Sequence, residues 1–167
     1  MKILDLILNR RTIHSYRREA IPAALIENAL LAAVHAPNHK LTWPWRFFVL
    51  GEQSRSALCR IANSDKFMNC GAMLALAIVR TTDEFVHREN YAALACAVQN
   101  MSLYLHSEGI GTKWSTGKVT RADEMYKMLN ITPEEYELCG LFWIGYAEET
   151  PPPVTRPALN HFIKYLS

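Results

Sequence analysis

Residues 88–117 read RENYAALACAVQNMSLYLHSEGIGTKWSTG, and they are the most informative part of the sequence. Between Tyr91 and Leu105 nearly every residue is apolar or small. A surface helix carries one apolar stripe, whereas a helix that is apolar on all sides is buried. We therefore expect a long helix buried in the core of a subunit interface. The run is shorter and more interrupted than the roughly 20 apolar residues of a membrane span, so we expect no membrane insertion.

The end of this helix is marked by Gly109, because glycine readily takes the left-handed conformation that follows a helical C-terminus. Gly111–Gly117 is then typical of a short strand with small polar residues at its end. This stretch does not match the GxGxxG fingerprint of dinucleotide-binding sites, because that motif follows a strand and begins a helix. Here the glycines instead follow a helix. We expect the segment after the helix to line a cofactor site.

The composition is that of a globular protein with one domain. Of 167 residues, 50% are hydrophobic and 20% are charged. A chain of this length and composition can bury a sizeable apolar core. The formal net charge of +2 is too small to indicate nucleic-acid binding, which needs a strong basic excess. The four cysteines form no CxxC pair, which argues against a zinc knuckle or a redox dithiol. The N-terminal residues lack a signal-peptide pattern, so we expect a cytoplasmic protein.

The other apolar patterns predict helices on both sides of a sheet. Helical patterns occur in residues 1–9, 23–35, 54–62 and 120–129, and buried-strand patterns occur in residues 46–50, 73–79 and 138–146. This order predicts an α+β sandwich with a mixed sheet between helices. Pro151–Pro153 forces an extended arm, and the apolar tail in residues 156–166 is suited to packing on a partner subunit.

A dense set of donors follows the first helical pattern. Residues 10–18, RRTIHSYRR, combine arginines, hydroxyl groups and a histidine. Guanidinium groups bind phosphate in a bidentate manner, so this segment could hold a phosphate. Arg10 and Arg11 could instead complement the negative end of the helix dipole. The residues alone leave both roles open.

His35 and His39 are four residues apart, a spacing that puts two metal ligands on one helix face. Pro37 lies between them and interrupts the helix. No acidic or thiol neighbour offers a third ligand, so we expect no metal site here.

Three segments, in a fixed order, resemble the nitroreductase family. Residues 10–16, RRTIHSY, resemble its RRSxRxF opening. Residues 36–47, which begin Ala-Pro and end Pro-Trp-Arg-Phe, resemble its AP…QPWxF segment. Residues 109–114, GIGTKW, resemble the GxGTxW segment after its long dimer helix. The short chain and the variant residues after Ala-Pro are most similar to the minimal, YdjA-like branch.

The resemblance implies one FMN-binding domain over residues 1–167 with a nitroreductase-like α+β fold. That fold has a mixed, mostly antiparallel sheet sandwiched by helices, a long buried dimer-core helix, and a C-terminal arm exchanged with the partner subunit. A homodimer with FMN at its interface would act as an NAD(P)H-dependent flavin oxidoreductase. NADH or NADPH would deliver hydride to flavin N5 and leave, and a small nitroaromatic, quinone or enone-like acceptor would then take the same place.

The resemblance also implies the site residues, position by position. Arg10 and Thr12 would hold the phosphate and ribityl end of FMN, with Arg11 alongside. Arg156 would bind the phosphate, and His14 would lie near the ribityl chain and the pyrimidine edge. The remaining candidates match positions beside the flavin: His35, His39 from the partner subunit, Trp114, Ser115 and Thr116. No catalytic side chain is implied, since the flavin carries the chemistry.

His14 stands where the family usually has arginine or lysine. Positive charge at this edge of the ring favours the reduced, anionic flavin. An unperturbed histidine carries that charge only below about pH 6.5. We therefore expect flavin reduction to become less favourable as the pH rises past that value.

Other departures from the family pattern leave the substrate open. Trp43 replaces the usual glutamine, Leu41 stands where many relatives have asparagine, and residues 62–89 are shorter than the active-site excursion of many relatives. An open site or poor nicotinamide binding would follow. Two alternatives to a reductase remain: a flavin-binding carrier or sensor with little NAD(P)H turnover, and a non-flavin homodimer whose arginines serve only helix ends.

Overall fold

The computed structural model describes residues 2–166, so the predicted helical position at Met1 lies outside the described residues. Five α-helices and four β-strands follow the order that the apolar patterns predict. The helices are α1 (Ile3–Asn9), α2 (Ala23–Val34), α3 (Glu52–Ala62), α4 (Glu84–Ser107) and α5 (Asp123–Leu129). The strands are β1 (Trp45–Val49), β2 (Ala72–Val79), β3 (Gly111–Ser115) and β4 (Tyr136–Gly145).

The four strands form one sheet in the order β1-β2-β4-β3, and each neighbouring pair is antiparallel. Within residues 2–166, the parallel pairing expected of a mixed sheet is limited to an isolated bridge between Thr12 and Thr112. Strand β3 is therefore at an edge, with residues around Thr12 beside it.

Helices cover both faces of the sheet. Alternate side chains of β2 point to opposite faces, and they enter two separate cores. Leu74, Leu76 and Ile78 pack with residues of α2 and α4, and Met73, Ala75 and Ala77 pack with residues of α3 and α5. The predicted α+β sandwich is confirmed.

Strand β4 contains a β-bulge. Gly140 and Leu138 pair with adjacent residues of β2, so Cys139 is an extra residue in β4. Cys139 faces the core beneath α2 and α4, and after the bulge Phe142 and Ile144 face that same core. The bulge thus shifts the alternation of β4 by one residue. Odd-numbered Cys139 faces this core before the bulge, and even-numbered Phe142 and Ile144 face it afterwards.

Both ends of α4 have defined caps. The Asp83 carboxylate accepts hydrogen bonds from two backbone amides of the first turn, at 2.9 and 3.1 Å. At the other end Gly109 has a φ of 75°, and the Ile110 amide donates to the Leu105 carbonyl at 2.8 Å. This is the Schellman arrangement, so the predicted role of Gly109 is confirmed.

Helix α4 is buried on one side and exposed on the other. Its buried residues include Leu94, Ala97 and Met101, whereas Tyr91 and Cys96 are exposed. The expected burial on all sides is therefore not reached within one chain. Neither α4 nor any other helix within residues 2–166 combines the length and apolarity needed to cross a membrane.

Candidate functional site

Residues 10–16 run along the open edge of β3. The Ile13 amide donates to the Thr112 carbonyl at 3.0 Å. The Tyr16 hydroxyl donates to the Ile13 carbonyl at 2.9 Å, and both side chains are buried. These contacts fix the donor-rich segment against the sheet and bring Thr12 beside Thr112.

A cleft of about 750 Å³, which we call the arginine cleft, lies where the end of α1, helix α4 and the C-terminal arm meet. Its polar lining consists of Arg10, Arg11, Thr12, His14, Gln99 and Arg156. A recess of about 190 Å³ shares Arg10 and Thr12 with it and is also lined by Lys113 and Trp114. The structure therefore gathers Arg10, Arg11, Thr12, His14, Trp114 and Arg156 from the predicted set.

Carboxylates of residues 2–166 do not balance the charges of the arginines in this cleft. Within residues 2–166, none of Arg10, Arg11 and Arg156 forms an ion pair. The pKa of Arg10 is lowered first by burial and then by the positive charges of Arg11 and Arg156. Such a cluster of guanidinium groups without counter-charge suits a phosphate or a similar anion.

Arg10 and Arg11 differ in their contacts. Arg11 Nη1 donates to the Leu8 carbonyl at 2.8 Å and to the Arg10 carbonyl at 3.0 Å, at the end of α1. Arg11 therefore serves the helix end, where carbonyl groups lack intrahelical donors. The Arg10 guanidinium lines the cleft and makes no hydrogen bond to residues 2–166.

A second basic cleft, of about 350 Å³, is also lined by His14, and we call it the lysine cleft. The Lys113 amine lies 4.4 Å from the ring centroid of Trp143, and the Lys66 amine lies 5.1 Å from that of Phe67. The other polar lining residues are Ser15, Tyr16, Arg18, Asn69 and Glu148.

Trp114 is held between β4 and α4. Its Nε1 donates to the Cys139 carbonyl at 3.0 Å, and its ring centroid lies 6.2 Å from that of Tyr91. Gly140, with a φ of 143°, is needed opposite because a Cβ atom there would collide with the Trp114 side chain. The absence of a side chain at Gly140 thus makes room for Trp114.

Ser115 and Thr116, the other two candidate residues at the end of β3, lie apart from the arginine cleft. The Ser115 hydroxyl accepts a hydrogen bond from Trp143 Nε1 at 2.8 Å. Thr116 is exposed after the end of β3. Their contact with a flavin ring stays a prediction.

His35 and His39 are also separate from the arginine cleft. His35 Nδ1 is 2.8 Å from the Leu31 carbonyl, and the His39 ring meets the Phe85 ring edge to face at 5.9 Å. Their roles as flavin contacts also stay predictions. Within residues 2–166 no group of three His, Cys, Asp or Glu side chains is placed to hold a metal ion.

The loop that carries His39 is strained. Lys40, Leu41 and Trp43 have positive φ values of 55°, 53° and 41°. The Thr42 hydroxyl donates to the Asn90 side chain of α4 at 2.7 Å. Strained backbone of this kind clusters at functional sites.

The structure adds Gln99, Lys66 and Lys113 to the candidate set. Gln99 is one of the few polar residues in the mainly apolar run of residues 91–105, and Lys113 interrupts a strand of small residues and Trp114. Both features are visible in the sequence. Lys66 has no such local signal. It lies in the segment after α3, and tertiary packing brings it to the lysine cleft.

The whole fold can be compared with known proteins. The model of the nitroreductase family matches residues 7–65 and 59–146. The chain belongs to the nitroreductase family. Family membership makes it an oxidoreductase, and the resemblance of the three sequence segments is confirmed.

Two curated relatives of similar length carry provisional names from this family. NAD(P)H nitroreductase YfhC of Bacillus subtilis is 26% identical over 166 residues, which cover 88% of this chain and 85% of YfhC. NAD(P)H nitroreductase YdjA of Escherichia coli K12 is 25% identical over 163 residues, which cover 87% of this chain and 88% of YdjA. The expected likeness to the YdjA-like branch is confirmed.

Solved structures agree with the fold. A nitroreductase-like family protein from Bacillus cereus superposes with a TM-score of 0.90 at 22% identity, over 99% of this chain and 96% of that chain. A provisionally assigned nitroreductase from Desulfovibrio desulfuricans, solved in complex with FMN, gives 0.85 at 21% identity, over 100% and 98%. The nitroreductase-like fold is thereby confirmed.

Proposed function

We propose that this protein is an FMN-dependent NAD(P)H oxidoreductase that reduces a small organic acceptor such as a nitroaromatic, quinone or enone-like compound. Membership of the nitroreductase family and the FMN complex of a structural neighbour support this proposal. The observation that carries it is the arginine cleft, where Arg10 and Arg156 lie without a carboxylate partner within residues 2–166.

The donors of the arginine cleft fit the phosphate of FMN. Arg10 and Arg156 would provide charge-assisted hydrogen bonds, and Thr12 would add a hydroxyl group. Arg11 would add positive charge while it holds the end of α1. An anion bound here would offset the burial, and the repulsion from Arg11 and Arg156, that lower the pKa of Arg10.

The other predicted residues would orient the rest of the cofactor. When bound, FMN supplies a two-electron carrier that passes hydride between NAD(P)H and the acceptor through N5. Trp114, Ser115 and Thr116 would lie beside the ring, and His14 near its pyrimidine edge. His35 would also contact the flavin, and His39 would reach it from the partner subunit. The cytoplasm stays the expected location.

We further propose that the protein is a homodimer, because the single chain leaves many large apolar side chains exposed. On α1 they are Ile3, Leu4, Ile7 and Leu8, and on the arm and tail they are Val154, Leu159, Phe162, Ile163, Tyr165 and Leu166. Contiguous apolar surface of this kind marks an interaction site. A second copy would cover this surface together with the exposed side of α4.

The first experiment is an absorbance spectrum of the purified protein with added FMN, followed by anaerobic NADPH and NADH. Bound flavin that bleaches would support the reductase. Bound flavin that stays oxidised would favour the carrier or sensor, and the short segment of residues 62–89 would then explain poor nicotinamide binding. Absence of bound flavin would contradict both.

Replacement of Arg10 by glutamine tests the phosphate contact. Loss of a charge-assisted hydrogen bond should weaken FMN binding by about ten- to a hundredfold, measured by quenching of flavin fluorescence. Arg60→Gln, an exposed change at the end of α3, is the matched control and should bind FMN like the parent. Equal affinity of Arg10→Gln and the parent would contradict the assignment.

A further inference from the structure

A cavity of about 230 Å³ lies at the end of α4, next to the arginine cleft. Its walls come from the end of α1, the last turn of α4 and the chain after β4. The cavity shares Arg10 and Arg11 with the arginine cleft, whereas His106 and Thr150 line the cavity and not that cleft. It is therefore a separate space with polar groups of its own.

Two residues of this lining carry a buried nitrogen atom without a hydrogen-bond partner. Among the side chains within residues 2–166 that are not exposed, the buried polar atoms in this state are Arg11 Nε, His87 Nδ1 and His106 Nε2. Two of the three thus belong to residues that line one cavity. Because nearly all buried polar atoms in folded proteins are hydrogen-bonded, this coincidence indicates a group that binds in the cavity and accepts from both nitrogens.

The lining of this cavity is positively charged. Arg10 and Arg11 supply guanidinium groups, and neither of them nor His106 forms an ion pair within the described part of the chain. The pKa of His106 is lowered by burial first and then by the charges of the two arginines. The carboxylates next to lining residues in the sequence are exposed and do not line the cavity; they are Glu108, Glu148 and Glu149.

The chemistry of the two nitrogens selects the class of ligand. Arg11 Nε always carries a hydrogen, and a neutral His106 ring donates from Nε2 in one of its two tautomers. A carboxylate has two oxygen atoms, so it offers an acceptor to each donor and a charge opposite to that of the arginines. The cavity is several times larger than the roughly 30 Å³ that one water molecule occupies, so an anion of the size of acetate fits.

We propose that this cavity binds a small carboxylate anion, which accepts hydrogen bonds from Arg11 Nε and His106 Nε2. The bound anion satisfies two buried donors and neutralises positive charge between the ends of α1 and α4. This site is distinct from the proposed phosphate contacts of Arg10 and Arg156, and it does not depend on the proposed function.

Thermal unfolding of the full-length protein at about pH 7, with increasing acetate, tests the site. A ligand that binds only the folded chain raises Tm as its concentration rises. His106→Phe keeps an aromatic ring and removes both nitrogens. This variant should bind acetate about ten- to a hundredfold more weakly than the parent, because it loses a hydrogen bond to a charged group. Acetamide, which is neutral and has the shape of acetate, should not raise Tm.

Two variants act as controls. His161→Phe makes the same replacement on the exposed tail and should bind acetate like the parent. Arg156→Gln removes a positive charge from the arginine cleft but not from this cavity, and it should also bind acetate like the parent. Loss of acetate binding in Arg156→Gln, with binding kept in His106→Phe, would place the anion in the arginine cleft and overturn the proposal.

The pKa of His106 in the parent gives a measurement that does not depend on the folding of His106→Phe. A carboxylate next to the ring favours the imidazolium form, so acetate should raise the pKa of His106. NMR titration of the assigned imidazole signals, with and without acetate, measures the change, and the pKa of His161 should stay the same. An identical pKa of His106 in both conditions would overturn the proposal.

The remaining outcomes separate this proposal from the proposed function. Protein that takes up no FMN but binds acetate through His106 contradicts the proposed function alone. In FMN-loaded protein the acetate response should persist, because the phosphate is expected at Arg10 and Arg156. A response that disappears when FMN binds overturns the separate site. Equal affinity for chloride and acetate overturns the carboxylate class, since a single ion does not need two oxygen atoms.

Discussion

Arg10 and Arg11 are neighbours in the sequence, yet their guanidinium groups have different surroundings. Helix α1 ends at Asn9, and its last carbonyl groups need donors from outside the helix. Arg11 turns back to supply them, whereas Arg10 faces the arginine cleft. Arg11 therefore has the helix-end role, and phosphate binding by Arg10 stays a prediction.

His106 lies behind these arginines. With Arg10 and Arg11 it lines a cavity of about 230 Å³ at the end of α4. Its Nε2 is buried and has no hydrogen-bond partner within residues 2–166. The pKa of His106 is lowered by burial first, and then by the charges of Arg10 and Arg11.

This lowered pKa predicts a loss of stability in mild acid. The unfolded chain binds the proton of His106 more readily than the folded chain does, so the stabilising contribution is complete above about pH 6.5 and is lost as the pH falls through the folded value. In the FMN-free protein, His106→Gln should therefore lose less unfolding free energy than the parent between about pH 7 and pH 5. Urea unfolding at both pH values measures the difference.

His161→Gln provides the comparison, because this histidine lies on the exposed tail. It should show the same pH dependence as the parent. An identical acid response in His106→Gln and the parent would refute the prediction.

At the scale of elements, the bulge of β4 and the loop before β1 set the positions of aromatic and polar side chains. Next to the bulge, Gly140 leaves space for Trp114 because it has no side chain. The loop instead carries strain, because Leu41 has a φ of 53° and branched apolar residues disfavour the left-handed region.

The loop strain predicts that Leu41→Asn stabilises the protein. Leu41 is 64% exposed, so little burial is lost. Asparagine tolerates the left-handed conformation, and relief of strain should raise the unfolding free energy by about 0.5–1 kcal/mol. Chemical denaturation of the variant and the parent gives the value.

A matched change in a helix separates strain from the effect of a polar surface residue. Leu31 is 57% exposed and lies within α2. Leu31→Asn should lower the unfolding free energy by about 0.5 kcal/mol, because asparagine has the weaker helix propensity. Destabilisation by both substitutions would count against strain at Leu41.

At the scale of the molecule, the proposed homodimer would cover the exposed side of α4, so the accessibility of this side tests the dimer. Cys96 lies on this side and is exposed in the single chain. By contrast Cys139 is buried, and burial raises the pKa of its thiol to about 12. The two thiols should therefore differ strongly in reactivity unless a second copy covers Cys96.

The homodimer predicts that Cys96 is alkylated slowly at high protein concentration and faster on dilution. Peptide mass spectrometry after a timed iodoacetamide reaction gives the rate for each cysteine. Cys59 is half-buried on α3, and its rate should not depend on protein concentration. Rapid alkylation of Cys96 at every concentration, in a chain that sediments as a monomer, would exclude a dimer through α4.

Much of this arrangement is predictable from local patterns. The order of helices and strands, the cap at Gly109 and the family all follow from periodicities and short motifs. The two-sided burial of β2 follows from its continuous apolar run, since a strand covered on both faces needs no polar alternation. The exposure of part of α4 does not follow, because exposed residues such as Tyr91, Ala92 and Cys96 are apolar or small like their buried neighbours.

The sequence by itself determined the elements, the α+β class, the family and the donor-rich segment at residues 10–18, because these depend on neighbours within a few turns of the chain. Only the tertiary structure decided which distant residues share a cleft. Arg156 comes from the arm, Lys66 from the turn after α3, and Lys113 from an edge strand. Their positions at these clefts depend on strand pairing and on packing between distant segments, and such long-range geometry leaves no local periodicity in the sequence.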